Sequence, residues 1–259
     1  MSEKKEEAGQ ISVLPIIPLR GMTILPDTVI HFDLNREKSV QALEYAMMKG
    51  GQIFLVTQKD ADVDVPEEKH LSSVGTIAAV KQITRLPNQI VRVLVEGTMR
   101  GTLHGVNKEN TKFLEGYVEP GQKEVSETAE NGIENEAMIR QLKEYFTLFA
   151  AHYPKLDKNA LQRYSQINDP GSLMDQIAMN LPVGFGKKQQ ILEAFDLEER
   201  YDILCEYLLN EIEIAKAREE LAHRIKDRVD NNQREYLLRE QLPYIREELG
   251  ELKDHGHHE

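Results

Sequence analysis

Few residue patterns in this 259-residue sequence are equipped for chemistry. Gly184-Phe185-Gly186-Lys187 carries the Gly-x-Gly-Lys end of a phosphate-binding loop, in which backbone N–H groups cradle phosphate and the lysine reaches it. That loop also needs a glycine five residues before Gly186, Ser or Thr after the lysine, and a preceding strand. Here Leu181 and Lys188 stand at those positions and a helical pattern precedes, so the run reads as an inter-helix turn with a glycine C-cap. Cys205 lies among Leu204 and Leu208 on an apolar helix face with no histidine nearby, which describes a buried thiol and not a nucleophile. His255, His257 and His258 have metal-binding side chains but stand in a short polar terminus. His31 falls within a strand pattern, and pairs such as Glu67-Glu68 and Glu247-Glu248 read as solvated faces. None of these sets makes a catalytic or metal centre, so binding is the function to look for.

Composition narrows the partners. A net charge of −12 excludes nucleic acid as the main partner, because phosphate binding needs a basic surface. A hydrophobic content of 40% supports a real core, and no run approaches the roughly 20 apolar residues of a membrane span. A lone cysteine cannot form an internal disulfide, which fits a reducing cytoplasm. Residues 1–10 read as a disordered charged leader and 251–259 as a disordered tail.

The longest organised stretch runs from Asp196 to Gly250. It is rich in Leu, Glu, Arg, Ala and Lys, has no proline before Pro243, and starts with Asp196 as N-cap. Up to Pro243 the spacing predicts about 45 residues of helix, roughly 70 Å. Leu197, Tyr201, Leu204, Leu208 and Ile212 give it a wide core-facing side. Beyond about residue 210 the stripe thins to a coiled-coil-like seam through Ala215, Leu221, Ile225 and Val229, resuming at Tyr236 and Leu237. Pro243 is expected to kink or break the helix and Gly250 to end it.

Residues 11–120 read as strands with one early helix. Pro15 and Pro18 predict that ISVLPIIPL is an edge strand or lies across a sheet end. VIHFDL alternates like a half-buried strand, and IFLVTQ is a continuous buried-strand run. Pro87-Asn88-Gln89 separates two further strand runs, and FLEGYVEP is the last. Residues 121–135 read as a polar linker, and four amphipathic helical patterns then join the start of the long helix in a bundle over 136–205. The class is α+β: a small β-barrel or curled sheet, a helical bundle, and a projecting long helix.

PIIPLRGMTILP (15–26), REKSVQALE (36–44), IFLVTQKD (53–60), VGTIAAVKQ and LPNQIVRVLVEG (86–97) closely resemble the N-terminal domain of bacterial Lon proteases. DPGSLMDQIA (169–178), KKQQILE (187–193) and NQREYLLREQL (232–242) extend the resemblance in the same order over residues 11–251, with Pro243 a departure from it. The resemblance implies a PUA-like β domain that recruits unfolded or damaged proteins in the cytoplasm for an ATP-dependent serine protease. The family's Walker A loop and Ser–Lys dyad have no counterpart here, so ATP and magnesium belong to the full-length protein and this chain needs no cofactor and is no enzyme by itself. It also implies ring assembly, a hexamer in the full-length protein, with self-association of this region through Leu221, Ile225, Val229, Tyr236 and Leu237.

Substrate contacts are expected from Arg36, Glu37, Lys38 and Gln41 at the start of the early helix, and from Leu19, Met22, Leu25 and Leu86 near turns. No nucleic acid and no membrane is expected as partner. A freestanding peptide- or ligand-binding adaptor and an oligomerisation scaffold are the alternatives; the first makes residues beyond about 215 dispensable, and the second binds no unfolded protein.

Overall fold

The computed structural model describes residues 9–121 and 129–254. The expected leader up to residue 8, the middle of the expected linker and the three tail histidines lie outside the described residues. The chain divides into two units, Met1–Glu211 and Ile212–Glu259.

The first unit begins with strand β1 (Ser12–Leu19), β2 (Val29–Leu34), helix α1 (Glu37–Met48), β3 (Gln52–Thr57), β4 (Val74–Arg85), β5 (Val91–Val106) and β6 (Glu115–Pro120). The sheet order is β2-β5-β4-β3-β1-β6, and β5 also pairs with β6, so five strands close into a barrel with β2 appended along β5. Closure depends on the length of β5: Val91–Glu96 pair with β2, while Gly101–Val106 pair with β6.

The continuous apolar run of β3 is explained by burial on both faces. Ile53 and Leu55 join Ala42, Leu43 and Ala46 of α1 in one core cluster. Phe54 and Val56 point the other way, into a second cluster with Leu14, Ile16, Ile77 and Val118. Phe54 has room because Gly75 and Gly101 lie against its ring; a Cβ at Gly75 would come within 2.6 Å of its Cζ and 2.4 Å of the Leu55 carbonyl oxygen. Gly50 and Gly51, both at positive φ, let the chain leave α1 and turn into β3.

β1 is an interior strand, contrary to the expectation drawn from its prolines. Ser12–Pro15 pair only with β6 and Ile16–Leu19 only with β3. Each proline therefore lies in a half-strand that has a ladder on one side, and its missing N–H leaves no gap in a double ladder. The carbonyl of Pro18 is instead taken by the Arg36 side chain, at 2.8 Å.

Helices follow: α2 (Ala129–His152), α3 (Lys158–Ser165), α4 (Pro170–Asn180), α5 (Phe185–Glu193) and α6 (Leu197–Asp254). The start of α2 lies inside the stretch expected to be linker. Asp157, Asp169 and Asp196 each accept a hydrogen bond from a first-turn N–H, so an aspartate caps α3, α4 and α6. Gly184 is the N-cap of α5, not a C-cap as expected, and Leu181 ends α4. Phe146, Phe149 and Tyr164 bring α2 and α3 together, with Phe146 and Tyr164 edge-to-face at 4.8 Å.

One buried polar network fixes the barrel to these helices. Arg100 of β5, 7% exposed, donates twice to the Asp175 carboxylate of α4, each at 2.7 Å. Its remaining donors reach the carbonyls of Leu192 and Ile191 near the end of α5. Arg200 of α6 lies 3.8 Å from the same carboxylate and donates to the carbonyls of Ala194 and Phe195.

The second unit is the rest of α6. The helix is continuous for 58 residues, about 87 Å. It does not break at Pro243, and it runs past Gly250, which corrects the helix end expected there. The carbonyl that Pro243 leaves without a partner, four residues back at Arg239, lies on an exposed helix where water replaces the lost bond. Gly250 costs only about 1 kcal/mol in a helix interior, and the helix formers after it carry the helix to Asp254. Every residue from Lys216 to Gly250 is exposed.

Candidate substrate-binding site

The start of α1 opens into a cavity of about 310 Å³. Its walls are apolar: Ile16 and Pro18 from β1, Val65 and Pro66 from the loop after β3, and Leu114 just before β6. Arg36, Glu37, Lys38 and Ser39 line it from the helix, with Asp64 opposite. The size is at the small end for ligand pockets and suits one or two side chains. Val65 is 62% exposed, so the wall continues onto the surface as an apolar lip.

Arg36 organises this corner. Its guanidinium donates to Gln58 Oε1 at 2.7 Å, to the Pro18 carbonyl at 2.8 Å and to the Asp64 carbonyl at 3.4 Å. All three acceptors are neutral. Burial, with the nearby charge of Arg20, holds its pKa below the ordinary arginine value, and Asp64 opposes that shift. Gln58 is buried and donates in turn to the carbonyls of Asp60 and Val63, which fixes the loop bearing Val65 and Pro66. Arg20 braces the same loop through the Ala61 carbonyl at 2.7 Å and the Asp64 carboxylate at 3.5 Å.

The expected substrate residues divide. Arg36, Glu37 and Lys38 line the cavity together. Gln41 is one turn further along α1, does not line it, and donates to Glu37 at 3.3 Å. Leu19 and Leu25 are 3% and 0% exposed and cannot meet a substrate: the turn that carries them faces the core, which corrects that expectation. Met22 packs on the same core as a half-buried residue, and Leu86 sits half-buried by the β4–β5 turn; neither lines the cavity. The sequence reading missed Val65, Pro66 and Leu114. The available signal was Val65-Pro66, an apolar pair inside an otherwise acidic loop.

Elsewhere, Leu221, Ile225, Val229, Tyr236 and Leu237 are all exposed on α6. Cys205 is half-buried, and burial pushes its thiol up. Among the described residues no three His, Cys, Asp or Glu side chains cluster as metal ligands, and no helix is long and apolar enough to cross a membrane.

A rigid closed barrel with an apolar hollow at one helix start, joined to helices by a buried ion network, defines a recognition module. Residues 13–210 match the ATP-dependent protease La (LON) substrate-binding domain, and the chain belongs to that family. It is 38% identical over 238 residues to the Lon protease of Lachnoclostridium phytofermentans, covering 92% of this chain and 29% of that one. It is 39% identical over 244 residues to the Lon protease of Clostridioides difficile, covering 93% and 31%. The Lon protease 1 of Bacillus subtilis is 36% identical over 238 residues, covering 92% and 30%. The chain thus spans about a third of the length of these relatives. Its fold is that of the N-terminal domain of a Mycobacterium avium complex Lon protease (TM-score 0.61, 20% identity, 76% of this chain and 98% of that one). A Lon N-terminal domain protein from Xanthomonas campestris shares it at TM-score 0.52 and 15% identity, covering 75% and 98%.

Proposed function

We propose that this chain captures exposed apolar segments of unfolded or damaged proteins at the α1 cavity and delivers them to an ATP-dependent serine protease. The observation that carries the reading is the apolar hollow with an exposed lip at Val65, held rigid by Arg36 and Gln58. A native protein buries the side chains that would fill it, whereas an unfolded one offers them. On this reading the chain by itself hydrolyses neither peptide nor ATP, and ATP with magnesium is used by parts of the longer relatives that it does not match. Partners are cytoplasmic proteins, with no role for nucleic acid or membrane in this region.

Assembly is the second part of the proposal. The exposed apolar side chains of α6 support self-association, with Leu221, Ile225, Val229, Tyr236 and Leu237 at the contact and a hexamer in the full-length protein.

Fluorescence anisotropy of labelled unfolded casein, titrated with this chain, tests capture. Binding that native globular proteins do not show, and that Val65→Asp abolishes with unchanged circular dichroism, is the expected result. Equal binding by Val65→Asp overturns the site, and no binding at all favours the scaffold. Light scattering across protein concentration tests assembly, with Leu221→Glu and Ile225→Glu expected to leave a monomer.

A further inference from the structure

The cavity is more than apolar: the helix end that lines it carries hydrogen-bond donors left over from the fold. No side chain caps the N-terminus of α1, so the N–H groups of its first turn have no acceptor from a capping residue. Ser39 lies in that turn, lines the cavity and is 3% exposed, and among the described residues its hydroxyl takes no hydrogen bond. Arg36 is the third donor. Its three hydrogen bonds occupy at most three of five N–H groups, and no carboxylate oxygen lies within ion-pair distance among the described residues.

The neighbouring carboxylates do not fill this need. Glu37 accepts from Gln41, Asp64 pairs with Arg20, and both are exposed at the rim. Lys38 adds a second cation to the lining, with no ion pair among the described residues. Of the lining charges, two cations, Arg36 and Lys38, stand beside two carboxylates, of which Asp64 is engaged by Arg20 and Glu37 by Gln41. A half-buried guanidinium, an uncapped helix start and a free hydroxyl beside an apolar hollow are complementary to one common group, a carboxylate attached to an apolar side chain.

We propose that the cavity recognises the C-terminal end of a polypeptide whose last residue is apolar. The terminal carboxylate sits on the α1 N-terminus with Ser39 and Arg36, and the last side chain fills the space between Pro18, Val65 and Leu114. This rests on the capture reading given above and specifies its substrate. Such an end is available on any unfolded or cleaved chain. The small volume agrees with it, since a hollow of about 310 Å³ holds a chain end better than a length of chain passing through.

The test uses three N-terminally labelled decapeptides of one sequence, titrated with the chain by anisotropy. One ends in leucine with a free carboxylate, one in leucine amide, and one in leucine followed by aspartic acid amide, which moves the carboxylate to a side chain. The free-acid peptide is expected to bind at least tenfold tighter than the amide, with the aspartate peptide close to the amide. Ser39→Ala should weaken the free acid about fivefold and leave the amide unchanged; N-acetyl-leucine should compete and N-acetyl-leucinamide should not, a readout independent of any variant. Equal binding of acid and amide overturns end recognition while capture stands. Tight binding of the aspartate peptide overturns it in favour of an internal acidic site. If unfolded casein binds through Val65 but no peptide binds, end recognition is again overturned; if casein fails too, the capture reading falls with it.

Discussion

Replacing Asp175 with asparagine removes one charge from the centre of the molecule and keeps its shape. In the intact chain that carboxylate, 2% exposed, takes two 2.7 Å bonds from Arg100 and has Arg200 at 3.8 Å. The amide leaves two buried guanidiniums near each other with no anion between them. The other acceptors of Arg100 among the described residues are the carbonyls of Leu192 and Ile191, which do not offset its charge. Breaking a buried pair on one side costs about 3–5 kcal/mol. With a urea m-value of about 2 kcal/mol per M, the unfolding midpoint should fall by about 1.5–2.5 M. Far-UV circular dichroism in urea is the assay, with Arg100→Met/Asp175→Leu as control; that double change removes the pair together and should recover most of the loss. A midpoint for Asp175→Asn within about 0.3 M of the parent would refute the claim that this network binds barrel to helices.

Other outcomes follow from single groups. Burial holds the Tyr164 hydroxyl up at about 12 and also raises those of Tyr201 and Tyr207, so these three should ionise late in a spectrophotometric titration. For Tyr164 the folded value lies above the unfolded value of about 10, so its stabilising effect is complete below pH 10 and disappears as the pH rises towards 12. Cys205, raised by burial, should react with a disulfide reagent at pH 8 at least several-fold more slowly in the folded chain than after denaturation. Pro243→Ala should restore the helix bond to Arg239 and slow amide exchange around residues 239–247 without moving the urea midpoint of the first unit.

Periodicity revealed what depends on neighbours in sequence. VIHFDL alternated and became β2; IFLVTQ did not alternate and became a strand covered on both sides; Asp196 announced the start of α6. What depends on distant partners was invisible. Arg100 and Asp175 are 75 residues apart, and no local pattern in the sequence pairs them. Pro15 and Pro18 suggested an edge because the sequence does not show that β1 changes neighbours halfway along. At the site, Arg36, Glu37 and Lys38 were legible as a helix start, but Val65 and Pro66 come from another loop. Leu19 and Leu25 were misplaced for the same reason: apolar residues by a turn look alike whether the turn faces water or core.

Closure of the barrel through β5 and β6 also bears on aggregation. On the capture reading proposed above, the chain would meet sequences eager to add themselves to any open sheet. Among the described residues β2 pairs with β5 alone, and on that strand Asp33 makes a two-pronged ion pair with Arg92 of β5. On β2 that charged pair opposes the addition of a further strand, so on the capture reading a client would be held there by its side chains and not by its backbone.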